Sequence, residues 1–239
     1  FSNLCSEENK MIVKRENELF IPQMDENLDK TYEVEDELIV NMILNGKEKQ
    51  DINLFFNVYD NAKLKIVIFD FARHNIETKI HINALENTDV RVYLATSAKK
   101  TDIKHFEINV DNKMPRSYSL VKMYGTNEDQ AKIVFDGVTR IYKGAKKCNV
   151  RQEGRIIDFD ENVDSSVSPS LCIDENDIQA SHGAILGQIP TSTLFYLTSR
   201  GLTIEEAQKL LSNGYFIPLR KEIDSEVVGE IVDSLLENL

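Results

Sequence analysis

Lys79-Ile80-His81-Ile82-Asn83-Ala84 alternates polar and apolar residues, Asn87-Thr88-Asp89 interrupts it, and Val90-Arg91-Val92-Tyr93-Leu94 resumes the alternation. A period of two puts every second side chain on one face of an extended strand, so one face is buried and the other wet. The same habit spreads outward from this pair. Upstream lie Leu38–Leu44, closed by Asn45-Gly46, then Leu54–Tyr59, the turn Asp60-Asn61-Ala62, and the β-branched run Leu64–Phe71. Downstream follow Ile103–Val110, Ser117–Tyr124, Ala131–Phe135 and Val138–Tyr142. Roughly nine short strands thus succeed one another with turn residues between them and no helical segment, which disfavours βαβ units. A sandwich, a barrel and a solenoid all fit this pattern. No strict short repeat of the hexapeptide kind is present, so a solenoid would have irregular rungs.

The flanks differ. Residues 1–37 are acidic, weakly periodic and interrupted by Pro22, and read as an irregular lead-in with one strand. After Pro190 the period changes. Thr191-Ser192-Thr193 precedes Leu194-Phe195-Tyr196-Leu197 and offers hydroxyls to a helix start, while Arg200-Gly201 stops the helix. Thr203 and Glu206 are spaced as a capping box. Ala207, Leu210 and Leu211 share a helix face, Asn213-Gly214 is expected to close that helix, and Asp224 or Ser225 to open a third. The organisation expected is lead-in 1–37, β body 38–189 and helical appendage 190–239.

The chain has 239 residues, 41% apolar and 28% charged, enough for one sizeable core. Its formal net charge is −12, from 40 acidic and 28 basic residues. An acidic body repels a phosphate backbone, so no nucleic-acid partner is expected. The densest basic patch, Arg140, Lys143, Lys146, Lys147 and Arg151, reads as a solvated sheet edge. No apolar run is long enough to span a membrane, and Phe1–Cys5 does not begin a signal peptide. Three cysteines (Cys5, Cys148, Cys172) without paired spacing argue against a disulfide framework and for a reducing, cytoplasmic setting.

Motifs for turnover chemistry are missing. There is no Gly-x-Gly-x-x-Gly, no phosphate-binding Gly-x₄-Gly-Lys loop and no Gly-x-Ser-x-Gly elbow. His74, His81 and His105 lack zinc-ligand spacing. Asp158–Asn162 lacks the central Gly and the downstream Glu of a calcium loop.

The most informative stretch is Asp177-Ile178-Gln179-Ala180-Ser181-His182-Gly183-Ala184-Ile185-Leu186-Gly187, followed by Leu194-Phe195-Tyr196-Leu197-Thr198-Ser199-Arg200-Gly201, Glu206-Ala207, Leu210-Leu211 and Gly214-Tyr215-Phe216. This succession resembles the C-terminal signature of the SufB/SufD family of iron–sulfur cluster assembly scaffolds: an acidic-aliphatic lead, a Ser-His-Gly-Ala turn, and a Leu-Phe-Tyr-Leu helix ending in Ser-Arg-Gly. Weaker agreement runs upstream through Ser117, Leu120, Val134-Phe135, Gly137, Gly144-Ala145-Lys146 and Pro169-x-Leu171-x-Ile173, so the resemblance covers residues 38–239.

The resemblance implies a right-handed parallel β-helix with a small C-terminal α-helical appendage. It implies a scaffold without turnover chemistry that docks a SufC-like ABC ATPase through the appendage, with Leu194, Phe195, Tyr196, Leu197, Tyr215 and Phe216 as the contact surface. It further implies a homodimer, or a heterodimer with another SufB/SufD-like subunit, formed near the Ser-His-Gly segment. A transient iron–sulfur cluster at that shared interface, none being tightly bound, is the implied cargo. His182 is the first candidate for metal binding or sulfur relay, weighed against a turn histidine. Cys172, on an expected buried strand, and Cys148, an expected exposed thiol beside Lys146-Lys147, are the others. SufB-type members carry a Cys in the region that here reads Gly154-Arg155-Ile156-Ile157. Its lack here, with no Cys-x-x-Cys pair, argues against stable cluster binding by one subunit alone and leaves open a shared interfacial site, loss of cluster chemistry, and the alternative of a SufD-like structural or regulatory partner of an ATPase. A sugar-active β-helix enzyme is the third class considered.

Overall fold

The computed structural model describes residues 10–13, 17–21, 27–46 and 49–239. Cys5 lies outside them. In chain order the strands are β1 (Lys10–Val13), β2 (Asn17–Ile21), β3 (Leu28–Val34), β4 (Glu37–Leu44), β5 (Gln50–Val58), β6 (Lys63–Asp70) and β7 (Ile76–Ala84). They continue as β8 (Asp89–Ala98), β9 (Ile103–Asn112), β10 (Tyr118–Asn127), β11 (Lys132–Ile141), β12 (Asn149–Asp158), β13 (Asp164–Ile173) and β14 (Gln179–Gln188). Helices α1 (Thr191–Ser199), α2 (Ile204–Arg220) and α3 (Glu226–Leu236) follow.

Every strand pairs in parallel with the strand two places away. The odd strands form one seven-stranded sheet and the even strands another. The chain therefore winds as a β-solenoid, alternating between sheets, and hydrogen-bonded side chains on adjacent rungs stand 23 to 31 residues apart. Of the three architectures left open by periodicity, this is the solenoid. Three strands fall within residues 1–37, where one was expected. They are pairing partners of β3, β4 and β5, and a weak apolar pattern suffices because the neighbouring rung supplies both the ladder and the core.

The alternation maps onto burial. In β7, Ile76, Ile80, Ile82 and Ala84 face the lumen, and Phe56, Leu64, Ile66, Phe106, Phe135 and Ile156 meet them there as one core between the sheets. The even sheet is apolar on its outer face too. Val67, Phe69, Phe71, Tyr93 and Tyr124 are covered by Phe216, Leu219, Val228, Val232 and Leu236 of the helices. This two-sided burial explains why Leu64–Phe71 reads as a nearly continuous apolar run.

The corners repeat. Asn61, Asn87, Arg116 and Lys147, each two residues before an even strand, adopt positive φ of 57–67°. The amide of Asn61 donates to the Glu86 carbonyl of the next rung, that of Asn87 to Pro115, and that of Arg116 to Lys146. Gly137 is needed for a different reason. A methyl group there would strike the Ile108 carbonyl and come 2.5 Å from Gln152 Nε2, whose side chain crosses the lumen.

Helices α2 and α3 start as expected, with the Thr203/Glu206 capping box formed and Ser225 as the cap of α3, whereas α1 begins at Thr191 behind Pro190 without the expected hydroxyl cap. The stop at Asn213-Gly214 is not made. α2 runs on to Arg220 with Pro218 inside it. Proline forfeits a bond to the carbonyl four residues back. Here that carbonyl belongs to exposed Gly214, open to water, while Phe216 and Leu219 gain burial on the sheet.

Candidate functional site

The last rung, β13 and β14, differs from those before it. β13 ends the odd sheet and β14 ends the even one, so each presents an unpaired edge among the described residues. β12 and β14 are in register from Asn149↔Gln179 to Asp158↔Gln188. Since Gln152 and Ile156 point inward, His182, Ala184 and Leu186 do as well. Val167, Pro169 and Leu171 continue the lumen face of β11 in the same way. No described residue closes this end. Ile173, Ile185 and Leu186 are 43, 51 and 51% exposed, and the solenoid opens here onto an apolar mouth rimmed by two free strand edges.

His182 sits on this mouth. The expected Ser-His-Gly-Ala turn is instead the middle of β14, held straight by its ladder with β12. The ring is exposed and hydrogen-bonds to no described residue. Cys172 was expected to be buried and is exposed, because nothing packs on the outer face of the last rung. It pairs in register with Arg140 on the odd sheet and therefore points away from the lumen that His182 faces. Cys148 was expected to be an exposed thiol and is buried. It fills the corner between β11 and β12 with Ile141, Ala145 and Val150, its Sγ 3.0 Å from the Ser117 hydroxyl and 3.4 Å from the Met114 carbonyl. Lys146 and Lys147 turn outward, away from it. The fold thus does not bring the three candidates together. No group of three or more His, Cys, Asp or Glu side chains arranged to hold a metal occurs among the described residues.

The expected docking surface divides in two. α1 has no buried residue. Phe195 and Tyr196 are 72 and 55% exposed, and Leu194 and Leu197 are half-buried. Tyr215 and Phe216 belong to the body. Phe216 is fully buried, its ring 6.0 Å from that of Phe71, and Tyr215 packs 5.2 Å from Tyr124. Their position on α2 turns them onto the sheet, so Phe216 is not part of an exposed surface. Sequence reasoning missed the exposed apolar residues Ile204 and Leu210 on α2 and Ile185-Leu186 on the rim. An adjacent apolar pair in a strand lacking a covered outer face was the available signal.

Below the mouth, on the outer face of β12, the Glu153 carboxylate gathers charge. It accepts from Tyr124 Oη at 2.9 Å and Arg151 at 3.0 Å and pairs with Arg155, whose guanidinium lies 5.3 Å over the Tyr124 ring. Burial pushes the Glu153 carboxyl up, but the Tyr124 hydroxyl and the two guanidinium groups outweigh it and hold the carboxyl below its ordinary value. Burial, then the bond to Glu153, raises Tyr124. Arg155, Glu153 and Tyr124 thus build an ion-paired platform under Tyr215.

The fold is thus a parallel β-solenoid with an open, apolar last rung and a helical tail folded back on one sheet. Residues 47–215 match the SUF system FeS cluster assembly, SufBD core domain, and the chain belongs to that family. It is 35% identical over 137 residues to the iron–sulfur cluster assembly protein SufD of Bacillus subtilis, covering 57% of this chain and 30% of that protein. An iron–sulfur cluster assembly SufBD family protein of Staphylococcus saprophyticus is 25% identical over 56% of this chain and 29% of its own length. Protein ABCI7, chloroplastic, of Arabidopsis thaliana is 25% identical over 60% of this chain and 30% of its own length. The matched stretch therefore spans less than a third of each of these relatives. Among the described residues no helix is long and apolar enough to cross a membrane.

Proposed function

We propose that this chain is a non-enzymatic scaffold subunit in iron–sulfur cluster assembly, which pairs with a second SufB/SufD-like subunit through its last rung and docks a SufC-like ABC ATPase through α1. The open end carries this reading. Solenoid ends need a cap, and two free edges beside exposed Ile185 and Leu186 suit a second subunit that continues the sheets. His182, unpartnered and lumen-facing at that end, would meet the cluster or a sulfur carrier as cargo at the shared interface. The exposed aromatic pair Phe195-Tyr196 on a helix with no fully buried residue suits a partner protein.

The cysteines favour a SufD-like division of labour. Cys148 is walled in, and Cys172 and His182 face opposite ways, so this subunit would supply an imidazole and shape while the partner supplies thiolates. The test is anaerobic copurification from the native extract followed by reconstitution with iron and sulfide. His182→Ala should lower cluster yield with the dimer intact, and an unchanged yield would remove His182 from the site. Phe195→Ser with Tyr196→Ser should abolish capture of the ATPase. Ile185→Asp with Leu186→Asp should leave a monomer by light scattering, and a persisting dimer would refute pairing through this end.

A further inference from the structure

Gln152 is a long polar side chain with no exposed surface, deep in the lumen one rung below the mouth. Its carboxamide has one long contact, 3.5 Å from Thr139 Oγ1 to Oε1, and its Nε2 has no partner. Leaving such a buried donor unsatisfied is costly, because it has given up its water without a replacement. The chain nevertheless makes room for it, because Gly137 opposite leaves the space that a methyl group would take. On the last rung above it, Val167, Pro169, Ala184 and Leu186 face inward and offer nothing to an amide. One polar exception stands in register with it on the next strand, His182. Adjacent parallel strands lie about 4.8 Å apart, so the two side chains leave the sheet as lateral neighbours, with Gln152 Nε2 and the His182 ring both lacking a partner.

We infer that Gln152 is the positioning residue for His182, holding its imidazole over the lumen by a hydrogen bond from a ring N–H to the buried amide oxygen and fixing which ring nitrogen carries the proton. A carboxamide presents an acceptor and a donor side by side. With Thr139 Oγ1 able to accept as well as donate, a half-turn of the amide offers Oε1 to an imidazole N–H. The ring nitrogen that donates to Gln152 keeps its proton, and the other directs a lone pair out of the mouth toward whatever covers it. A partner of this kind orients a ligating histidine and raises its basicity. The inference rests on the proposed role of His182, but its test does not require any cluster to form.

The experiment is ¹⁵N NMR of the imidazole nitrogens in the full chain at pH 8, with His182 assigned by its loss in His182→Gln. Wild type should show one His182 tautomer in at least tenfold excess. Gln152→Met, apolar and of similar length, should relax the ratio to that of N-acetylhistidine in the same buffer. Gln152→Glu, which retains an acceptor, should keep the single tautomer. A solvent-like mixture in the wild type overturns the inference even if Gln152→Met fails to fold, and so does an equal ratio in wild type and Gln152→Met. If His182→Ala leaves cluster yield unchanged while the tautomer still depends on Gln152, the role of His182 falls and the pairing stands.

Discussion

At the scale of single residues, the polar groups inside this solenoid matter most because each has one way to be satisfied. Lys104 and Asp70 are both fully buried. Lys104 Nζ lies 3.1 Å from Asp70 Oδ2 and 2.8 Å from the Ala72 carbonyl, and Thr96 Oγ1 donates to the same carboxylate at 2.7 Å. Removing one charge strands the other in low dielectric. Lys104→Met should therefore cost about 3–5 kcal/mol in urea unfolding, and Asp70→Leu added to it should recover much of the loss. Glu175 shows the opposite economy, at the surface. Its carboxylate accepts from the amides of Gly144, Asp177 and Asn176, which hold its carboxyl below the ordinary value. A folded value below the unfolded one means the contribution to stability is complete above about pH 4.3 and fades as pH falls through the folded value. Glu175→Gln should accordingly lower the melting temperature at neutral pH and flatten its fall on the acid limb, measured by circular dichroism from pH 7 to 2.

At the scale of elements, the corners decide the register. Asn61 and Asn87 suit the left-handed backbone that their position demands, while Lys147, at φ 59°, fills the same place with a residue that favours it less. Lys147→Asn should raise stability by about 0.5–1 kcal/mol, seen as a higher urea midpoint with the slope unchanged. Turn residues were legible where they were Asn, and Asp60-Asn61-Ala62 and Asn87-Thr88-Asp89 are indeed corners. They were not legible at Arg116 and Lys147, because the rung-to-rung hydrogen bonds impose the conformation there. Strands β12 and β14 escaped for a related reason, and of β13 only the stretch around Cys172 was expected. Asp164–Ile173 is half polar, and it is extended because β11 templates it.

At the scale of the whole molecule, the helical tail is a wall of the body. Phe216, Leu219, Val228, Val232 and Leu236 cover Phe69, Phe71 and Tyr93, and each such side chain is worth about 1.5–3 kcal/mol when fully buried. Deleting residues 191–239 should therefore give an aggregating, dye-binding protein, and a soluble, cooperatively melting fragment would contradict this packing. Point changes on α1 are the cleaner probe of docking because that helix buries nothing.

The amino-acid order alone determined that the body is built of short strands without crossover helices, that helices follow Pro190, and that the stretch from Asp177 to Phe216 carries a family signature. Those features rest on local periodicity, caps and residue identity, which act over a few positions. The tertiary structure decided which of three β architectures forms, that Cys148 is enclosed while Cys172 is bare, that α2 passes through Gly214 and Pro218, and that His182 faces an open lumen above Gln152. Each of these depends on what lies a full rung or more away along the chain. Burial and partnership at that distance are set by stacking, which no local pattern encodes.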